Sequence, residues 1–125
     1  MADATYRHGN ALMLDFVAAS PGVTAGDVVI SDGGDTPYVA HNDIAVGELG
    51  AVASRGGVYE MRAEAGIGSG KKVYWDAGAL AQRVSITPEA TAKKHFGYLA
   101  PRTGITSENE LVLVVHDPDG TSIIV

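Results

Sequence analysis

The clearest pattern in the chain runs from Leu49 to Glu64, where apolar and polar positions alternate. Tyr59, Met61 and Ala63 fall on one side of an extended backbone, and Glu60, Arg62 and Glu64 on the other. That spacing predicts a strand with one buried and one wet face. Leu49, Ala51 and Ala53 alternate in the same way upstream, and Gly56-Gly57 between the two halves predicts a bulge or bend. Shorter apolar runs flank this segment. "ALMLDFV" (Ala11 to Val17) has strand length and is closed by the turn-prone "SPG" at Ser20 to Gly22. "AGDVVI" (Ala25 to Ile30) reads as a turn, with Gly26 and Asp27 in it, that enters a strand. Val73, Tyr74 and Trp75 mark a strand over Lys72 to Asp76, Gln82 to Ile86 is a further short one, and "FGYLA" from Phe96 runs into Pro101.

The end of the chain predicts a hairpin. "LVLVV" (Leu111 to Val115) and "SIIV" (Ser122 to Val125) flank "HDPDG", where Pro and Gly suit a turn. "LVLVV" is apolar at every position, which fits either a monomer core or a contact between subunits. Helix signals are few. Asp76 to Arg83 is alanine-rich but interrupted by Gly78. Thr87 to Lys94 has a Thr cap, Pro in first position, Glu next and lysines at the far end, and reads as a short helix or an irregular loop.

Composition agrees with many turns and little helix. Sixteen of the 125 residues are glycine, well above the usual ~7%, which suits short strands joined by tight turns. Roughly eight to ten such strands predict an all-β fold, a small antiparallel barrel or sandwich with Gly-rich turns and at most one or two short helices. Residues 1–125 read as a single β domain, with residues 1–10 either an extended N-terminal arm or an ordinary first strand.

Charge narrows the partners. Fifteen Asp and Glu against nine Lys and Arg give a net charge of −6, the wrong sign for a protein whose affinity rests on displacing counterions from nucleic acid. There is no cysteine, hence no disulfide and no thiolate chemistry. The first residues lack the basic-then-apolar order of a signal peptide, and no apolar run nears the roughly 18 residues of a membrane span. A soluble protein made in a cytoplasm is expected, with neither nucleic acid nor membrane as partner.

One stretch invites an enzymatic reading. "GIGSGKK" (Gly66 to Lys72) has the composition of a phosphate-cradling loop, but G-x-x-x-x-G-K-[ST] requires Gly where Ala65 stands and a hydroxyl where Lys72 stands. It must also open a helix, and here a strand-like Val-Tyr-Trp follows. "VASRG" around Ser54 lacks the first glycine of a nucleophile elbow, since Val52 occupies that place. His8, His41, His95 and His116 are scattered without metal-ligand spacing and read as surface or strand-end residues. The acidic turns "SDGGD" (Ser31 to Asp35) and "HDPDG" are too short in ligands for a calcium loop. Tyr59, Tyr74 and Trp75, with no basic residues around them, read as packing groups rather than a base-stacking platform. No catalytic residue, metal site or cofactor is predicted, and the chain is not expected to be an enzyme.

The order of motifs says more than any one of them. "ATYRHGNALMLDF", "AGDVVI", "IAVGELGAVASRGGVYEM", "GKKVYWD", "FGYLA" and the closing hydrophobic strand follow one another over nearly the whole chain. In that order and spacing the sequence resembles the small tailed-phage and prophage proteins known as domain of unknown function 2190. The resemblance implies a capsid cement, or decoration, protein. Such a protein sits on the exterior of the virion, is made in the bacterial host cytoplasm, has the major capsid protein as partner and forms a homo-oligomer on the capsid. It brings no catalytic residues. It does imply structural roles for Gly26 and Asp27 as a turn, for Gly47 and Gly50 flanking the "ELG" turn, and for Trp75 as a packing anchor, beside Tyr59, which the alternation already places in the core. Tyr6, Arg7 and His8 are the candidate contacts with the shell. An oligomeric module recognising a host surface or glycan is the alternative, and a recombinase-related nucleotide-binding protein a more remote one.

Overall fold

The computed structural model describes residues 4–19, 21–30, 36–76, 83–85 and 93–118. Eight strands run through them: β1 (Thr5–Val17), β2 (Val28–Ile30), β3 (Pro37–Ala40), β4 (Leu49–Ala63), β5 (Lys72–Asp76), β6 (Arg83–Ser85), β7 (Lys93–Leu99) and β8 (Glu110–His116). No helix occurs among the described residues. Strands β4, β6, β5, β7 and β8 each pair with the next, and β8 returns to β4, which closes a five-stranded barrel. The all-β expectation holds, and of its two forms the barrel is the one adopted.

The 15-residue β4 is the spine. Its second half belongs to the barrel wall, where Tyr59, Met61 and Ala63 point inward and are fully buried, as the alternation predicts. On β8 the same period places Val112, Val114 and His116 inside, while Leu111 and Leu113 face out. Val73, Trp75, Val84, Phe96 and Leu99 join them in the interior. Each such side chain contributes about 1.5–3 kcal/mol through burial. The first half of β4 pairs with β1 along one edge and, at Val52 and Ala53, with β3 on the other. A second cluster forms there from Ala18, Ala40, Ile44 and Val52, with Phe16 and Val23 packed against it.

Several details depart from the sequence reading. Strand β1 starts at Thr5, six residues before the apolar run, so the segment through Asn10 is an ordinary first strand laid along β4. Strand β3 has no counterpart in the expected set, because four residues starting at Pro37 are too few to show a period. The barrel is not wholly antiparallel: β4 and β6 pair in parallel through Ala63 and Val84. Lys93 and Lys94, the end of the candidate helix, are strand residues of β7. Residues 77–82, 87–92 and 119–125, which carry the rest of both helix candidates and the second arm of the C-terminal hairpin, lie outside the described residues, as does "SDGGD".

The bulge expected at Gly56-Gly57 is present, and β1 supplies its other half. The register shifts between Gly9 and Leu12. Gly9 and Gly56 have φ of +103° and +97°, and a Cβ on Gly56 would stand 2.3 Å from the Asn10 carbonyl oxygen. Only glycine satisfies both the positive φ and the close approach.

Candidate functional site

The three residues singled out near the N-terminus lie on β1 but not in one orientation. Tyr6 turns inward. Its ring stands 4.8 Å from that of His41 and 5.5 Å from that of Tyr59, and its hydroxyl donates a hydrogen bond to the Gly9 carbonyl. Arg7 sits in the register shift between the pairs Tyr6–Tyr59 and His8–Val58, and both Arg7 and His8 are exposed. A cavity of about 260 Å3 opens between Tyr6, His41, Thr5, Ala25 and Gly26.

Behind it lies a run of aromatic rings that local periodicity does not reveal. Tyr59, fully buried, meets Tyr6, His41, Phe96 and His116, all at ring-centroid distances between 5.5 and 6.3 Å. Such edge-to-face arrangements align ring edges with the negative faces of their neighbours. The Tyr59 hydroxyl and His41 Nε2 share a hydrogen bond of 2.6 Å. His116 Nε2–H donates to the Pro37 carbonyl at 2.7 Å, which fixes the tautomer and ties β8 to β3. Burial pushes the His116 imidazole down to about 4, only partly offset by the Pro37 carbonyl. Burial also lowers His41 and raises the Tyr59 phenol. All three groups are therefore neutral around pH 7 and act in packing and hydrogen bonding. His95 is buried as well, so neither His95 nor His116 is a surface residue, while the strand-end alternative holds for His116, the last residue of β8; His95 packs against its cross-strand partner Tyr74.

The glycine-rich loop is committed to the fold. Gly66 N–H donates to the Thr106 carbonyl and Gly70 N–H to the Leu99 carbonyl, while Lys71 N–H closes a turn onto Gly68. These donors diverge instead of converging on an anion, and β5 follows from Lys72. A phosphate cradle needs the opposite arrangement. Ser54 Oγ–H likewise donates to the Leu12 carbonyl at 3.1 Å, bracing β1 on β4. Among the described residues no group of three His, Cys, Asp or Glu side chains could hold a metal ion.

The remaining structural positions fall as follows. Gly26 has φ +91°, and the Asp27 carboxylate accepts from Thr24 N–H at 2.9 Å, closing the turn before β2. Gly47 has φ +79° in the turn leading to β4, and Gly50 lies in β4 directly beneath the Ile44 side chain. Tyr74 and Trp75 are buried at 4% and 3% exposure, so they present no stacking surface.

What the surface does present is aliphatic. Val17 and Leu49 are cross-strand partners at the end of the β1–β4 ribbon, 57% and 69% exposed, and Val46 in the adjoining turn is 55% exposed. A second apolar surface lies on the outer barrel wall, where Tyr98, Leu111 and Leu113 are each about 40% exposed. Beside it, Ala100, Pro101 and Arg102 bound a groove of about 200 Å3 along β8. For Leu111 and Leu113 the sequence left core and subunit contact open, because burial in a monomer and burial in a contact favour the same side chains.

A closed barrel with a filled interior, backbone donors spent internally and aliphatic ridges turned outward defines a small structural β protein. A family model for phage cement proteins matches residues 7–114, and the chain belongs to that family. Its function is accordingly that of a capsid cement, or decoration, protein, associated with the phage capsid in the virion. No curated protein and no solved structure gave a significant match.

Proposed function

We propose that the protein binds the outside of the assembled head, contacts the major capsid protein, and holds neighbouring shell subunits together as a homo-oligomer without catalysing a reaction. It is made in the host cytoplasm and joins the shell after assembly. The observation that carries this reading is the exposed aliphatic surface on a barrel whose own core is already filled. Leu12, Val17, Val46 and Leu49 add nothing to the interior while more than half exposed, and side chains of that kind mark contact sites. Arg7 and His8, exposed on β1, are the proposed polar contacts with the shell. Many modest contacts repeated on a symmetric lattice sum through avidity, so no single deep site is required.

The test is co-sedimentation of the purified protein with expanded shells of the head protein encoded beside it. Saturable binding at a fixed ratio per shell subunit is expected. No binding to those shells, together with saturable binding to host cells or glycans by the protein alone, would replace this reading with the surface-recognition one.

A further inference from the structure

Strand β1 leaves one edge of the sheet open. It pairs with β4 alone, and among the described residues the backbone of Thr5–Val17 makes no hydrogen bond to any other backbone group. Side chains reach two of its carbonyls, those of Gly9 and Leu12, from Tyr6 and Ser54. Alternate residues of an antiparallel strand turn both N–H and C=O away from their partner, so a row of donors and acceptors faces outward. Sheet edges are ordinarily blunted by shortness, lysine, proline or bulges. The strand β2, at the other end of the sheet, has three residues, but β1 has 13 and contains neither lysine nor proline. Its register shifts end at Met13, and the positive φ of Gly9 lies before that point. From Met13 to Val17 the register with β4 is unbroken. This regular stretch is apolar on both faces: alternation sets Met13 and Val17 on one side and Leu14 and Phe16 on the other, and Met13, Leu14 and Val17 are 37%, 44% and 57% exposed.

We infer that Met13–Val17 is a docking edge that takes an extended segment of the shell protein as an added β-strand. This rests on the proposed binding to the shell and names the strand that makes the contact. The open row of donors and acceptors specifies an extended backbone as occupant, and apolar side chains on both faces of the edge favour a segment that is itself apolar. A second copy of this chain does not suit the site. Antiparallel pairing of Met13–Val17 with the same stretch sets the two Asp15 side chains directly opposite each other, and like charges there repel. Sliding that pairing either brings in the shifted register before Met13 or leaves too short a ladder. Nothing on the neighbouring strand relieves the charge, since the facing residues Leu49 to Ala53 are uncharged and Glu48, next along the chain, is acidic too. Asp15 instead selects a partner strand with a basic or hydroxyl side chain opposite.

Hydrogen exchange resolved to single amides tests this, on the free protein and on the protein bound to expanded shells. The outward amides of Met13–Val17 are expected to exchange fast in the free protein and to slow at least about a hundredfold on the shell, while those bonded to β4 change little. Protection at alternate positions is the signature of an added strand, because a patch covered through its side chains has no such backbone period. Asp15→Lys is expected to weaken shell binding about tenfold or more, with an unchanged melting curve for the free protein. Shell binding with the outward amides still fast would overturn the docking edge and leave the cement reading intact. The same protection in concentrated free protein without shells would assign the edge to a second copy and overturn the inference as well. Failure to bind shells at all would overturn both the edge and the reading on which it rests.

Discussion

Gly97 packs so tightly against Val115 that a Cβ at position 97 would stand 1.8 Å from the Val115 carbonyl oxygen. The two residues belong to β7 and β8, adjacent staves of the barrel. Gly97→Ala should therefore push the strands apart and destabilise the protein by about 3 kcal/mol, the upper part of the range for overpacking. Urea denaturation measures this directly. A variant as stable as wild type would mean that β7 and β8 do not approach as described.

Stability should fall on the acid side through His116. Its folded value of about 4 lies below the ordinary imidazole value of 6.5, so the unfolded chain takes up the proton first as pH drops. The contribution is complete above pH 6.5, is lost between 6.5 and 4, and levels off below; it amounts to about 3 kcal/mol at most. His41, lowered by burial, acts in the same direction. Glu108, held down by its hydrogen bond from Arg83, and Glu110, held down by the Ser107 N–H, add losses only as pH falls below 4.5. Denaturation curves at pH 7.5, 6, 5 and 4 should show the decline for wild type and a shallower one for His116→Asn.

Tyr59 sits at the centre of the ring cluster, and its hydroxyl has one described partner, His41. Tyr59→Phe should cost about 1 kcal/mol, the net worth of one hydrogen bond. Tyr59→Ala removes the ring and should cost about 3–5 kcal/mol. A difference of less than 1 kcal/mol between the two variants would contradict the central packing role.

Lys71 ends the glycine-rich loop, and the backbone donors around it are already satisfied by Thr106 and Leu99. Lys71→Ala should change stability by no more than about 0.5 kcal/mol. Titration calorimetry with millimolar ATP should register no binding by either form, and a saturable heat abolished by the substitution would revive the nucleotide reading.

Arg7→Ala and His8→Ala should each weaken binding to expanded shells by about 1 kcal/mol, near fivefold in affinity, with unchanged melting of the free protein. Undiminished binding by the double variant would move the shell contact elsewhere.

How far the fold could be read depended on contrast between the two faces of a strand. The second half of β4 was legible because Tyr59, Met61 and Ala63 face a core while Glu60 and Arg62 face out. Residues Thr5 to Asn10 were not, since both faces of that part of β1 are exposed and its length is set by the partner strand. The Gly56-Gly57 bulge was visible as a glycine pair, but its companion Gly9 needed the pairing of β1 with β4. The ring cluster joins Tyr6, His41, Tyr59 and His116 from four distant segments, a relationship no local period encodes. Leu111 and Leu113 fitted either a core or a contact and lie on the surface, because an association surface borrows the composition of an interior.

If the protein stabilises a shell, calorimetry of expanded heads will register it. Heads saturated with the protein should melt at a higher temperature than bare heads, with the gain lost when the protein is omitted or replaced by a variant that fails to bind. Bound protein that leaves the melting temperature of the shell unchanged would contradict the cement role.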